Sequence, residues 1–239
     1  MLVKIKSVAN VGLETTGIVV EVDVAEKGFP GFNIVGLASK AVDEARERVK
    51  TAIKNSGFDF PAAKITVNLA PADIPKDGAA YDLPIAVGIL AASNQIPNVG
   101  ARSSRPIDDG QENPAPTDIF YGELSLDGSL RHTKGVLLVG LYAKDNAIYV
   151  PIESANEAAV VENVTVYPVR NLRELVDHFQ DIKKIEPLKH IEIQELVIDA
   201  NFDVDLVDVA GQEQAKRALT IAASGGHNLL MFGPPGTGK

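Results

Sequence analysis

Cysteine and tryptophan are absent from the 239 residues. Without cysteine the chain has no disulfide and no thiol chemistry, which fits a reducing compartment. Aromatic residues make up only 5%, which argues against a stacking platform for single-stranded nucleic acid. Long hydrophobic runs are missing as well. The longest, about Leu83 to Ala92, is far short of the ~20 residues that cross a bilayer. The opening MLVKIKSVANVG lacks the apolar stretch of a signal peptide, so the expectation is a cytoplasmic protein with no membrane partner. Positive charge is in short supply: the formal net charge is -9. That balance argues against nucleic-acid binding by bulk electrostatics in this segment.

Hydrophobic residues make up 45% of the chain, enough for a substantial core in one large domain or two. The most informative segment is the last. Asn228-Leu229-Leu230-Met231-Phe232 reads as an apolar strand running into Gly233-Pro234-Pro235-Gly236-Thr237-Gly238-Lys239. This is GxxxxGK, a Walker A loop as far as its lysine. The bare spacing would occur by chance in roughly one chain in fifteen of this length, so context decides. Ahead of the strand, Gln212 to Ala223 reads as a helix with Ala215, Leu219 and Ala222 on one face, stopped by Gly225-Gly226. A strand that positions a glycine-rich turn, whose amides cradle phosphate, is what the mechanism requires. In that reading Gly233, Pro234, Pro235, Gly236, Thr237, Gly238 and Lys239 hold nucleotide. The lysine pairs with the β- and γ-phosphate oxygens.

The remaining pattern is mixed α/β. Val3–Val8, Gly17–Val24, Phe32–Gly36 and Lys64–Leu69 read as strands. In the second, Val20, Val22 and Val24 face one way and Glu21 and Asp23 the other. A helix is expected from Ser39 to Asn55, with Val42, Ala45, Val49, Ala52 and Ile53 as its buried stripe, Glu44 supporting Arg48 and Ser56-Gly57 as its stop. Asp82 is the expected N-cap of an apolar helix reaching about Asn94, with Pro84 in its first turn. Residues 97–117 are polar and rich in Pro, Ser and Gly, which reads as a mobile surface loop at about 101–117. A strand Ile119–Leu124 then turns at Asp127-Gly128 into a hairpin with Ser129-Leu130-Arg131. Helices near Val136–Ala143, Ser154–Val161 and Leu172–Phe179 alternate with strands Ala147–Val150 and Thr165–Val169. The organisation expected is a first domain over residues 1–180, a charged linker over 181–205 and the beginning of a second domain over 206–239.

Four separated stretches carry a resemblance. They are Gly31-Phe32-Asn33-Ile34-Val35-Gly36-Leu37, the run from Leu69 to Ala86 that contains Pro75-Lys76-Asp77-Gly78, Gly122 to Gly128, and Val209 to Leu219 leading to the phosphate loop. Together they resemble the magnesium-chelatase-subunit-I-like proteins of the ComM/YifB family, over nearly all of the chain. The resemblance implies a Lon-protease-like first domain of the ribosomal protein S5 domain 2-like α/β (α+β) fold, followed by the start of an AAA+ ATPase module. It implies ATP and Mg2+ as cofactors of the whole protein and assembly into a ring hexamer. It also implies a DNA motor, a helicase promoting branch migration during natural transformation, with DNA reached through regions beyond this chain. Val209 to Gln212 would lie near the adenine. The alternative function is an AAA+ chaperone-like remodeller of protein partners.

A Lon-type peptidase would need a serine after Lys-Asp-Gly-x, activated by a lysine on a later helix. The position falls on Ala80, and no serine lies between Ser56 and Ser93. The lysine position falls on Val136 or Leu137, with Lys134 and Lys144 out of register. A non-proteolytic accessory or oligomerisation role follows for the first domain, through its 30–37 and 75–82 segments. The other candidates read as ordinary surface chemistry. His132, His178, His190 and His227 show no ligand spacing and read as surface or capping groups. Asp73, Asp77 and Asp82 fit turn and cap chemistry better than a cation site. Arg46 and Arg48, among acids, read as a solvated face.

Overall fold

The computed structural model describes residues 1–25, 29–36, 40–76, 78–97, 118–193, 205–234 and 236. The chain divides into two compact units, Met1–Leu196 and Val197–Lys239. The expected loop at 101–117 lies outside the described residues.

The first unit is mixed α/β around a seven-stranded sheet. Its strands are β1 (Leu2–Val11), β2 (Glu14–Val24), β3 (Gly31–Val35), β4 (Lys64–Ala70), β5 (Ile119–Phe120), β8 (Ala147–Pro151) and β9 (Thr165–Val169). The short β6 (Glu123–Leu124) and β7 (Leu130–Arg131) form a separate antiparallel hairpin. The sheet order is β3-β4-β2-β1-β5-β8-β9. Only β2 is antiparallel to its neighbours. Helices α1 (Lys40–Asn55), α2 (Asp82–Ala92), α3 (Val136–Tyr142), α4 (Ala155–Ala159) and α5 (Leu172–Phe179) complete the unit.

Alternation along the strands separates two apolar clusters. On β1, Val3, Ile5 and Ala9 face the larger cluster, which α1, α2 and α5 share, while Val8 faces a smaller one with α3 and α4. The second face of β2 and β4 is polar instead. There Lys4 lies 3.1 Å from Glu21, and Asn68 donates to Glu21 at 3.0 Å across three adjacent strands. The Asn68 and Lys4 hydrogen bonds hold the Glu21 carboxyl below its ordinary value. A stack of rings crosses the other half of the sheet. Phe120, Tyr149 and Tyr167 occupy matched positions on β5, β8 and β9, with centroids 4.9 and 4.8 Å apart and planes within 9°. That spacing is the separation of neighbouring strands. Phe179 and His178 of α5 close the cluster.

Every residue of α2 is buried. It packs so closely on β2 that a Cβ at Gly88 would lie 2.5 Å from the Val22 side chain. Its first residue supplies the carboxylate that joins three elements. Asp82 is not the N-cap, which is Tyr81 without a side-chain bond. Instead Asp82 is 0% exposed, and Arg48 of α1 donates to it twice, Nε at 2.8 Å and Nη2 at 3.2 Å. The Leu124 amide of β6 adds a third bond at 3.3 Å. A charge taken out of water keeps its ionised form only with such partners. Arg48 is therefore half-buried rather than on a solvated face, and Glu44, at 3.8 Å, is its lesser partner.

Two further expectations are corrected. The strand 119–124 divides because Gly122 leaves the ladder: its amide donates to the Ala80 carbonyl at 2.9 Å, and its carbonyl accepts from Leu83 at 3.1 Å. His178 is buried, not on the surface, because its Nδ1 accepts the Ile185 amide at 2.9 Å while its ring packs among the aromatics. Among the described residues no helix is long and apolar enough to cross a membrane.

Burial pushes the Asp82 carboxyl up to about 6, against the pull of the Arg48 bonds and charge. Arg48, less buried, responds mainly to the Asp82 bond and is held above its ordinary value. The folded protein thus holds a proton on Asp82 that the unfolded chain has already lost. This contribution to stability is complete below pH ~4 and is lost as the pH rises through about 6. Arg48→Ala leaves the carboxylate buried and unpaired, and is expected to cost about 3–5 kcal/mol at neutral pH. Urea midpoints measured from pH 4 to 7 should show a steeper loss in Arg48→Ala than in the parent and none of this component in Asp82→Asn. Midpoints for Arg48→Ala equal to the parent's at neutral pH would refute the role of the pair.

Candidate functional site

Two places matter: the phosphate loop of the second unit, and the segment 70–82 of the first, where a peptidase dyad would stand.

The described part of the second unit starts with a 3-10 turn over Leu206–Asp208, closed by reciprocal bonds between Asp205 and Asp208. The helix α6 (Glu213–Gly225) follows, entered through Gln212 and left through Gly226, both left-handed. Ala215, Leu219 and Ala222 are the partly shielded face, as the periodicity predicts. The segment Asn228–Phe232 is not a strand. A parallel strand exists only by pairing, and no strand beside it is present among the described residues of this unit. Leu230 and Phe232 are 91% and 100% exposed. Of the phosphate-loop residues, Gly233, Pro234 and Gly236 are described, whereas Pro235, Thr237, Gly238 and Lys239 lie outside the described residues. Gly236 has φ +86° and no atom within 4 Å of where a Cβ would be. That open left-handed backbone suits a loop that must bring its amides against phosphate.

In the first unit, the turn containing Pro75 and Lys76 is anchored by a cation. Lys76 is fully buried and its Nζ donates to the Pro71 carbonyl. Desolvation lowers its pKa, with the Asp73 charge opposing. The motif's lysine was legible in the sequence, its burial was not. Asp73 is exposed and Asp82 is buried against Arg48, while Asp77 lies outside the described residues. Among the described residues no group of metal-ligating side chains occurs.

Ala80, at the position where a serine nucleophile would stand, is buried in the smaller apolar cluster with Val136, Val139, Ile119 and Tyr121. Of the two positions considered for the lysine, Val136 is in that cluster and Leu137 is 40% exposed. Lys134 is exposed, and its carbonyl accepts from the Tyr121 hydroxyl at 3.1 Å. The chain therefore brings the two positions together and fills both with hydrocarbon. Beside them a cleft of ≈ 340 Å³ is lined by Asn10, Pro75, Tyr81 and Tyr121. Asn10 is already engaged there, accepting from Thr15 at 2.8 Å and donating to the Gly135 carbonyl at 3.2 Å.

Residues 20–154 match the family described as subunit ChlI of Mg-chelatase, and residues 205–239 match magnesium chelatase, subunit ChlI. The competence protein ComM of Haemophilus influenzae is 41% identical over 97% of this chain. Proteins named YifB from Salmonella typhimurium and Escherichia coli are 41% and 40% identical over the same share. The chain belongs to the ComM/YifB-type magnesium-chelatase-like family. It spans 43% of the length of ComM and 42% of each YifB protein.

Within this family member, the apolar filling of the dyad positions has a direct consequence. Ala80→Ser restores a hydroxyl but no base, since Val136 carries no amine. Neither the parent chain nor Ala80→Ser should label with a serine-reactive fluorophosphonate probe. Stoichiometric labelling of the parent would overturn the reading of this region as non-proteolytic.

Proposed function

We propose that this chain is the front part of an ATP-driven AAA+ motor that works on DNA. The observation that carries the reading is the phosphate-loop sequence Gly233 to Lys239, placed after α6 inside a segment that matches the magnesium chelatase subunit. In this reading the amides of Gly233, Gly236, Thr237 and Gly238 wrap the phosphates, with Pro234 and Pro235 shaping the turn. Lys239 neutralises the β- and γ-oxygens. Mg2+ accompanies the nucleotide, which supplies the free energy for movement when bound. DNA is favoured as the substrate by the likeness to a protein named for competence. Branch migration during natural transformation is the corresponding activity.

The first unit is, in this proposal, a non-proteolytic accessory of Lon-like, S5 domain 2-like descent. Its mixed sheet and the convergence of Ala80 and Val136 in one cluster support that descent. It contributes to assembly, with a homohexameric ring as the state expected of the whole cytoplasmic protein. The chain to Lys239 has the phosphate loop without hydrolytic partners, so it is expected to show no ATP turnover above a blank.

The decisive measurement is the ATPase rate of the protein extended past Lys239, with and without branched DNA. Several-fold stimulation by branched DNA, abolished by Lys239→Ala, is the expected result. Turnover that ignores DNA but responds to a protein substrate would replace the DNA motor by a remodeller of proteins. No turnover in an assembled ring would remove the motor reading altogether.

A further inference from the structure

The two edges of the seven-stranded sheet are treated differently. At one edge, β9 is met by the chain that follows α5, where the Leu188 amide donates to the Val166 carbonyl at 2.8 Å. At the other edge lies β3, paired with β4 alone and with no described strand beyond it. Soluble proteins usually cover such an edge or interrupt it, because its outward amides and carbonyls invite another strand.

The surroundings of β3 are built to receive one. A groove of ≈ 720 Å³ opens at its first residues, Gly31 and Phe32, with α1 and the segment 60–63 as its walls. Its floor includes Phe32 and Phe60, whose rings lie 5.7 Å apart. Phe29, just before the strand, is 94% exposed. Along the α1 wall stand Arg46, Lys50 and Lys54, spaced four apart and so on one side of the helix. Two acids, Glu44 and Glu47, also line the groove, but Glu44 lies 3.8 Å from Arg48. Cations thus outnumber anions at this groove on a chain whose formal net charge is -9.

We propose that β3 is a docking edge for an extended, acidic segment of a partner protein, which adds a strand beside β3 and lays its carboxylates along Lys50 and Lys54. Main-chain pairing supplies the affinity in this mode, and side-chain pockets and charge supply the choice of partner. This inference goes beyond the motor reading and stands whether the motor moves DNA or protein.

The test uses the whole chain and a fluorescein-labelled peptide of alternating valine and glutamate, read by fluorescence anisotropy. Saturable binding is expected, weakened about tenfold or more by Lys50→Glu with Lys54→Glu, and falling with added salt. N-methylation of alternate peptide amides should abolish it, since each methyl removes a main-chain donor. Equal binding of a valine–lysine peptide would overturn the charge selection, and undiminished binding of the methylated peptide would overturn strand addition. Failure of the glutamate peptide to bind overturns the proposal. A dimer detected by sedimentation without peptide, and lost in the same double variant, would overturn it in favour of a second copy of this chain.

Discussion

The buried pair between Arg48 and Asp82 is the constraint on which the first unit depends. One carboxylate holds α1 by two charge-assisted bonds and β6 by a backbone amide, while itself opening α2. A negative charge in the first turn also suits the positive end of the helix. The remainder of α2 can then be hydrocarbon on every side, because its position is fixed by one polar contact and its area is buried by all its neighbours. The arrangement specifies geometry more than it adds stability. Desolvating Asp82 costs much of what the pair returns, which is why its carboxyl stays raised despite the arginine.

In the same region, backbone bonds hold the entry to α2 while the side chains around it are hydrocarbon. Gly122 spends both of its backbone groups on the entry to α2, one on Ala80 and one on Leu83. Ala80 is buried in the smaller cluster together with Ile119 of β5 and Val136 at the start of α3. With methyl and isopropyl groups at those positions, the contact becomes packing. Apolar filling of that kind tolerates no stranded hydroxyl or amine, so a return to chemistry would need both changes at once. The buried Lys76 belongs to the same economy of partners: its amine holds the turn by the Pro71 carbonyl and is unavailable as a base elsewhere.

Elements with strong periodicity were legible in the sequence. The stripe Ala45, Val49, Ala52 and Ile53 is buried, α5 runs from Leu172 to Phe179, and Val20, Val22 and Val24 of β2 face the core. Local pattern suffices where one face of one element meets a core. Long-range partnerships were not legible. Arg48 finds its carboxylate on a different helix, and a reading confined to i,i+4 neighbours assigns it to Glu44. Asp82 has the residue type of an N-cap and the burial of a core group, and only the fold decides between them. The ring stack Phe120–Tyr149–Tyr167 depends on strand order, which no single strand encodes. At the candidate sites, the absence of a nucleophile at Ala80 was readable directly, whereas its burial in one cluster with Val136 required the structure.

The segment Asn228–Phe232 shows the opposite limit. Its composition is that of a buried strand, yet Phe232 is fully exposed and no residue described between Asp205 and Gly236 is buried. Propensity alone does not make a strand, because its amides and carbonyls need partners and its side chains need a core. A phosphate loop inherits its shape from the strand behind it and the helix ahead of it. Affinity for phosphate comes largely from amides already held in place, so that ordering is not charged to binding. The sequence Gly233 to Lys239 therefore specifies the chemistry of a nucleotide site, while the packing around it specifies whether that chemistry is held ready. The open left-handed backbone at Gly236 belongs to the first part, and a covered Leu230 and Phe232 would belong to the second.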